Sequence, residues 1–125
     1  IPMSRAKGMV PYVRWEIGAR LIYQSEMVLL DIRSPEEWKE TGIATVATPL
    51  TMHNPNFLNG FQKIVSANPG KKIGIICATG GRTQWLQAEL AKRGLTPVID
   101  VSEGMMGSQA GPGWIARKLG LKKVP

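Results

Sequence analysis

Two short, continuously apolar segments dominate the hydrophobic pattern of the chain. The first, residues 27–32, contains a single charged residue, Asp31, and the second, residues 73–76, runs directly into Cys77. Runs of this length that do not alternate with polar residues are typical of strands buried on both faces of a parallel sheet. The segment 97–101 has the same character. These segments therefore predict the strands of a central, mainly parallel sheet.

The segments between these strands carry helix signals. The clearest is Ser34-Pro35-Glu36-Glu37, which combines an N-cap serine, a proline suited to the first helical position and the capping-box spacing, and Gly42 ends this helix. Further helices are predicted at residues 15–23, 54–67, 83–92 and 114–119. Residues 10–13 are predicted as an edge strand, and residues 43–50 as a strand or an extended connector. In the helix at 83–92, the residues expected to face the core are Trp85, Leu86, Ala88, Leu90 and Ala91.

Strands that alternate with helices indicate an α/β fold. The chain has 125 residues, which suits one domain and is too short for two. We expect an N-terminal arm at residues 1–9, one domain at residues 10–121 and a C-terminal tail at residues 122–125.

Cysteine and histidine each occur once, as Cys77 and His53. A single cysteine excludes disulfides within the chain, multi-cysteine zinc sites and thiolate-bound iron–sulfur clusters, and a single histidine argues against a histidine-rich metal site. The 16 Lys and Arg outnumber the 9 Asp and Glu, for a formal net charge of +7. These charges are spread along the chain, which indicates a solvated surface or a small anionic substrate. The sequence contains no basic motif interleaved with aromatic residues, so we do not expect nucleic acid as a partner.

No apolar stretch approaches the roughly eighteen residues of a membrane span, so we expect no membrane partner. A monomer is the expected state. The single cysteine suits either a reducing or an oxidising compartment. We favour the cytoplasm, and the periplasm or an organelle would be the alternative if a presequence had been removed before Ile1.

The candidate chemistry lies at Cys77 and in the loop that follows it. In chain order, the loop residues are Ala78, Thr79, Gly80, Gly81, Arg82 and Thr83. Ligands of open α/β sheets bind at the carboxyl ends of strands, which is where Cys77 falls. Small residues leading into a helix allow successive backbone N–H groups to point at the sulfur and stabilise a thiolate. Arg82 can bind an anion or hold the loop closed, and the two threonines can add hydroxyl donors.

The alternative is a buried cysteine that only fills space at the end of a strand. Such a cysteine does not require two glycines and an arginine directly after it. The composition of the loop therefore favours a functional thiol.

The segment from Cys77 to Thr83, Cys-x-x-Gly-x-Arg-Thr after a strand, resembles the active-site loop of the rhodanese sulfurtransferases. Two further segments resemble that family in the same order. They are Asp31-Ile32-Arg33 with its acidic, aromatic helix start, and residues 98–107 followed by Trp114. The resemblance covers about residues 10–121. It implies a rhodanese-like α/β domain, with a central, mainly parallel five-stranded sheet flanked by helices on both faces.

Two departures from the family pattern fall on the wall of the implied pocket. The Gly-His-Ile-x-Gly-Ala stretch common in the family is replaced by residues 41–48, which lack the histidine. Residues 108–113 lengthen the loop before Trp114. Both departures bear on which acceptor the pocket takes, and neither touches Cys77.

The resemblance implies a thiosulfate sulfurtransferase in which Cys77 is catalytic and residues 78–83 bind the substrate, and which needs no metal or organic cofactor. The Cys77 thiolate would accept a sulfur atom from thiosulfate or a similar small anionic donor and hold it as a persulfide. Cyanide or a thiol, including a protein thiol, would then take this sulfur. Asp31 and Arg33, at the end of the neighbouring strand, are expected either to brace the loop or to form an ordinary ion pair.

Two other functions stay open. A persulfide carrier or a partner-binding module would keep the same domain with little turnover of its own. A cysteine phosphatase or arsenate reductase also joins a cysteine to an arginine, but with five residues between them. Here four residues, Ala78 to Gly81, separate Cys77 from Arg82. The shorter loop suits a single sulfur atom better than a tetrahedral phosphate.

Overall fold

Four parallel strands form the central sheet in a computed structural model that describes residues 27–95 and 98–125. In chain order the elements are β1 (Met27–Asp31), α1 (Pro35–Thr41), β2 (Ile43–Ala44), β3 (Ala47–Pro49), α2 (Phe57–Ala67), β4 (Lys72–Ile76), α3 (Gly81–Lys92), β5 (Val98–Asp100) and β6 (Leu121–Lys122). The sheet order is β3-β1-β4-β5, and every pairing is parallel. The α/β fold with a mainly parallel sheet is therefore confirmed.

The register between β1 and β4 decides where the site lies. Asp31 is opposite Ile76, and the ladder continues past the strands because the Ile32 N–H donates to the Ile76 carbonyl at 3.1 Å. The residues that follow the two strands, Arg33 and Cys77, thus leave the sheet at the same edge.

Alternating residues of β1 and β4 divide the core between the two faces of the sheet. Leu30 and Ile75 belong to a cluster completed by buried residues of α2 and α3, including Phe61, Leu86 and Leu90. Leu29 and Ile76 belong to a second cluster with Ile43, Ala47 and Trp114, against which Trp38 of α1 packs. Helices therefore cover both faces, as the chain pattern predicts.

Helix α3 differs from its prediction in extent and in orientation. It begins at Gly81 rather than at residue 83, and it buries Thr83, Leu86 and Leu90. These positions share one face of a helix with 3.6 residues per turn. Trp85 lies off that face and is 57% exposed, and Ala88 and Ala91 are exposed as well. The prediction that these three residues face the core is wrong.

Other boundaries also move. Helix α2 begins at Phe57 rather than at residue 54, because Asn54 forms a turn in which its side chain accepts a hydrogen bond from the Asn56 N–H at 2.8 Å. Residues 43–50 divide into two strands: β3 joins the central sheet, and β2 pairs antiparallel with β6. The proposed tail at 122–125 therefore begins inside β6. Residues 114–118 form turns instead of the predicted helix.

The predicted arm at 1–9, edge strand at 10–13 and helix at 15–23 lie outside the described residues. The expected fifth strand of the central sheet, which is the one at 10–13, is among them.

A buried carboxylate organises the long loop after β5. Glu103 is fully buried, and its Oε1 accepts hydrogen bonds from the Gly113 N–H at 2.9 Å and from Arg117 Nε at 2.8 Å. Arg117 Nη2 donates to Glu103 Oε2, also at 2.8 Å. This two-point contact joins the start of the loop to its end across residues 103–117.

We expect Glu103→Gln to lower the free energy of unfolding by about 2 kcal/mol, because the buried site loses its charge and one of its acceptor oxygens. Urea unfolding measures the change. The matched control is Glu89→Gln, which breaks the exposed ion pair with Lys92 and should cost less than about 0.5 kcal/mol. Equal effects of the two variants would show that Glu103 does not hold the loop.

Candidate active site

The lone cysteine lies at the carboxyl end of β4 and is almost completely buried. Cys77 is 1% exposed and packs in the cluster that contains Ile75 and Leu86. Two polar groups contact its sulfur: the Gly80 N–H donates to Sγ at 3.2 Å, and Thr83 Oγ1 lies 3.6 Å away. Several N–H donors were predicted around the sulfur. In the part of the chain that the structure describes, one is found.

Gly80 bends the loop so that its own N–H faces the sulfur. Its φ is +91°, in the left-handed region, and it serves as the N-cap of α3. A Cβ at this position would also come within 2.6 Å of the Ser102 carbonyl oxygen. Any other residue would therefore meet both backbone strain and a collision with the neighbouring loop.

Thr83 connects the sulfur to the backbone of the loop. Its buried hydroxyl donates to the Gly80 carbonyl at 3.1 Å, so the same oxygen can accept a hydrogen bond from the Cys77 thiol. When the thiol loses its proton, rotation of the hydroxyl turns its hydrogen towards the sulfur. The Gly80 carbonyl keeps a partner in either case, because it also accepts from the Gln84 N–H at 3.1 Å.

The loop after β5 supports the cysteine loop through its backbone. The Met105 N–H donates to the Cys77 carbonyl at 2.8 Å, and the Met106 N–H donates to the Ala78 carbonyl at 2.9 Å. Gly104, with φ at +75°, lies against Ala78 so closely that a Cβ would overlap the Ala78 carbonyl oxygen. Main-chain contacts therefore hold the two loops together, and the Cys77 side chain does not take part in them.

Arg82 holds the cysteine loop to helix α1. Its Nη1 and Nη2 donate to the two carboxylate oxygens of Glu37 at 2.7 and 2.8 Å, a bidentate contact between residues 45 positions apart in the chain. Glu37 is fixed from the other side by Ser34, whose N–H and hydroxyl both donate to Oε1 at 3.1 Å. Of the two roles predicted for Arg82, the structure shows that of holding the loop.

This contact keeps both groups charged. The hydrogen bond from Arg82 is the main reason that the pKa of Glu37 falls from its ordinary 4.5 to about 2. The pKa of Arg82 is raised, first by the same hydrogen bond and, less strongly, by the charges of Glu37, Cys77 and Asp31.

Asp31 and Arg33 form a buried ion pair. Their side chains are 0% and 1% exposed, and Arg33 Nη2 lies 2.8 Å from Asp31 Oδ2. Arg33 also donates to Thr41 Oγ1 and to the Gly42 carbonyl, while Asp31 accepts from the Trp38 indole N–H. These bonds fasten α1 to the end of β1. The pair makes none of its described hydrogen bonds to residues 77–83, so any bracing of the loop runs through α1 and Glu37.

A polar groove of about 480 Å³ opens beside the cysteine loop. One wall is formed by the loop and α3, the other by β5 and the loop that follows it. Its lining residues are Thr79, Gly80, Gly81, Gln84, Gln87, Asp100, Ser102, Ser108, Gln109 and Ala110. Asp100 is the one charged side chain among these described residues. The longer loop at 108–113 thus contributes Ser108, Gln109 and Ala110 to the wall of the groove.

The one histidine and the two methionines of the loop after β5 differ in their exposure. His53 is an exposed loop residue, Met105 is fully buried and Met106 is 58% exposed. Within the described residues, no cluster of three or more His, Cys, Asp or Glu could hold a metal ion. No helix in residues 27–95 or 98–125 is long and apolar enough to cross a membrane.

The sequence does not predict the roles of two site residues, Glu37 and Gly104. It marks Glu37 as a capping-box residue but not as the partner of Arg82. Pairing across 45 positions has no local signal. Gly104 lies in a segment with several glycines, but its contact with Ala78 depends on how two loops meet.

The arrangement suits nucleophilic chemistry at sulfur. One backbone N–H and one hydroxyl face Sγ, so negative charge on the sulfur is stabilised by groups that are already in place. A negatively charged sulfur at this position can attack a ligand held at the loop.

Comparison with known proteins points to one family. A family model described as "Rhodanese-like domain" matches residues 17–110. The chain is 28% identical over 100 residues to "Uncharacterized protein RP600" of Rickettsia prowazekii (strain Madrid E), which covers 75% of this chain and 81% of that protein. The crystal structure of Rv0390 from M. tuberculosis aligns with a TM-score of 0.60 and 22% identity, over 91% of this chain and 95% of that one. At that identity the structural match shows a shared fold.

We expect Thr83→Val to slow alkylation of Cys77 by iodoacetamide about three- to tenfold near neutral pH, because the thiolate loses a hydroxyl donor. Thr83→Ser keeps the hydroxyl and should react at close to the wild-type rate. The appearance of the alkylated protein in intact-mass spectra measures both rates. Equal rates for wild type and Thr83→Val would show that the hydroxyl does not assist the sulfur.

The Glu37–Arg82 pair should also give stability a defined pH dependence. Because the pKa of Glu37 is depressed to about 2 in the folded protein, its stabilising charge is fully present above its ordinary pKa of 4.5. That contribution is lost as the pH falls from about 4.5 to about 2.

We therefore expect Glu37→Gln to be less stable than wild type by about 1–2 kcal/mol at neutral pH, and this difference to shrink through that range. Urea unfolding at several pH values measures it. Glu36→Gln removes the same charge from an exposed neighbour and should follow the wild-type curve. A Glu37→Gln difference that stays constant with pH would contradict the assignment.

Proposed function

This chain belongs to the rhodanese-like domain family, and from that premise we propose that it is a sulfurtransferase that carries sulfur as a persulfide on Cys77. The observation that carries the proposal is the pair of polar groups around Cys77 Sγ. The Gly80 N–H lies 3.2 Å from this sulfur, and the Thr83 hydroxyl lies 3.6 Å from it. Both groups can stabilise a thiolate before the reaction. The same donors can stabilise the terminal sulfur of a persulfide.

In the first half-reaction, the Cys77 thiolate attacks the outer sulfur of a small anionic donor such as thiosulfate. A bond forms between Sγ and that sulfur, the bond between the two donor sulfurs breaks, and sulfite leaves with the electron pair. The negative charge passes from Sγ to the terminal persulfide sulfur. No external oxidant is required, because the outer sulfur passes from the donor to Cys77 without a net oxidation or reduction.

In the second half-reaction, cyanide or a thiolate attacks the terminal sulfur. The new bond forms on the acceptor, the persulfide S–S bond breaks, and Cys77 is released as a thiolate. The chain contains no second cysteine. The persulfide is therefore discharged by an acceptor from outside the chain, and ping-pong kinetics follow.

The groove beside the loop supports the entry of an acceptor larger than cyanide. Thr79 and Gly81 of the loop line the groove, and so do Gln84 of α3 and Gln109 of the opposite loop. Amide side chains can donate to and accept from a polar acceptor such as a thiol-bearing peptide. We propose a thiol, including one on a protein, as the acceptor that uses this groove.

We expect incubation with thiosulfate to add the mass of one sulfur atom, about 32 Da, to the intact protein, because Cys77 becomes a persulfide. Cys77→Ser should gain nothing. Adding cyanide should remove the extra mass from the wild type and produce thiocyanate. Intact-mass spectrometry and a thiocyanate assay follow the two steps.

Other outcomes of the same experiment separate the alternatives. A persulfide that forms but is discharged neither to cyanide nor to thiols in repeated turnover would favour a carrier. A mass gain in Cys77→Ser would contradict the role of Cys77. Hydrolysis of a phosphate ester without any sulfur loading would favour a cysteine phosphatase.

A further inference from the structure

The contact between Glu37 and Arg82 has a consequence for which sulfur donors the site accepts. Arg82 lies in the cysteine loop between Gly80 and Thr83, the two residues that contact the Cys77 sulfur. Both terminal nitrogens of this cation are bound to the Glu37 carboxylate at 2.7 and 2.8 Å. A ligand approaching Cys77 therefore meets a nearly neutral pair rather than a positive charge.

Glu37 is held in the position that cancels this charge. The N–H and the hydroxyl of Ser34 both bind Oε1 and Arg82 binds both oxygens, so the carboxylate cannot turn away without losing four hydrogen bonds. Its depressed pKa, about 2, keeps it negative throughout the neutral range. Neutralisation of Arg82 is thus a constant property of the site.

The groove beside the loop has the same electrostatic character. Of the described residues that line it, none is Lys or Arg, and Asp100 contributes a carboxylate. The other polar groups are neutral amides and hydroxyls, including those of Gln84 and Ser108. Such groups can bind sulfonyl oxygens by hydrogen bonds but do not offset a second negative charge.

A thiolate that attacks an anion must overcome their mutual repulsion, which increases with the charge of the donor. We propose that Glu37 is a specificity-determining residue. By cancelling the charge of Arg82, it makes the site select sulfur donors with one negative charge over donors with two. This inference rests on the proposed sulfurtransferase function and adds the charge class of the donor.

Two donors that differ in one charge test the proposal. Methanethiosulfonate and thiosulfate offer the same terminal sulfur, but a methyl group in the first replaces a charged oxygen in the second. Attack by the Cys77 thiolate forms the same persulfide in both cases. The leaving group is methanesulfinate from the first donor and sulfite from the second. With cyanide as the common acceptor, thiocyanate formation gives kcat/KM for each.

We expect Glu37→Gln to raise the ratio of kcat/KM for thiosulfate to that for methanethiosulfonate about three- to tenfold, because the charge of Arg82 is no longer cancelled. Glutamine can still hydrogen-bond to Arg82 and Ser34. The matched control is Glu36→Gln, which makes the same change in net charge at an exposed position on the same helix and should leave the ratio unchanged. The increase should diminish at high salt.

A second variant removes the positive charge of the Glu37–Arg82 pair instead of the negative one. Arg82→Gln leaves the Glu37 carboxylate uncompensated, so the ratio should fall about three- to tenfold. This arm keeps the proposal testable if Glu37→Gln does not fold. Loss of loop geometry alone would lower kcat/KM for both donors by the same factor.

The outcomes are distinct. A ratio that stays the same in Glu37→Gln, or one that stays the same in Arg82→Gln, overturns the specificity role. Failure of both donors to load sulfur onto wild-type Cys77 overturns the proposed function itself. Persulfide formation from both donors with an unchanged ratio leaves the sulfurtransferase proposal intact and removes only this inference.

Discussion

The parallel register between β1 and β4 is the constraint on which the site depends. With Asp31 opposite Ile76, the two strands end at the same level, and their next residues leave the sheet side by side. Each strand is apolar on both faces, and a different cluster of core residues covers each face. A shift by one residue would move the side chains of each face into the cluster of the other, so the packing of the two clusters specifies the register. The energy of the core is therefore what places the Cys77 loop next to α1.

Given that placement, the loop is shaped mostly by close contacts of backbone with backbone. Gly80 approaches the Ser102 carbonyl, and Gly104 approaches the Ala78 carbonyl, at distances that leave no room for a side chain. Carbonyls of Cys77 and Ala78 are bound by N–H groups of the loop after β5. Main-chain groups therefore position the loop. The sulfur can be buried, and its polar contacts are not needed to hold the loop in place.

Local signals predicted much of this structure, and pairings between distant residues account for the rest. The capping box at Ser34, the buried strands and the position of Cys77 are properties of a few consecutive residues, and each is found as predicted. The Glu37–Arg82 contact and the pairing of β6 with β2 depend on which segments meet in space. Trp85 was misassigned for a related reason: its helix is apolar on more than one side, and only the packing of α3 decides which side is buried.

The electrostatics of the site show why net charge is a poor guide to local chemistry. The formal charge of +7 suggests attraction of a dianion, and at long range it does attract anions to the protein. Around the cysteine loop, however, the field depends on how individual charges are paired. Arg82 is cancelled by Glu37, and Arg33 is cancelled by Asp31 inside the core. The lysines of the described residues and Arg93 are exposed, where they can attract an anion to the surface. In the donor selection that we propose, the discrimination takes place at the Glu37–Arg82 pair.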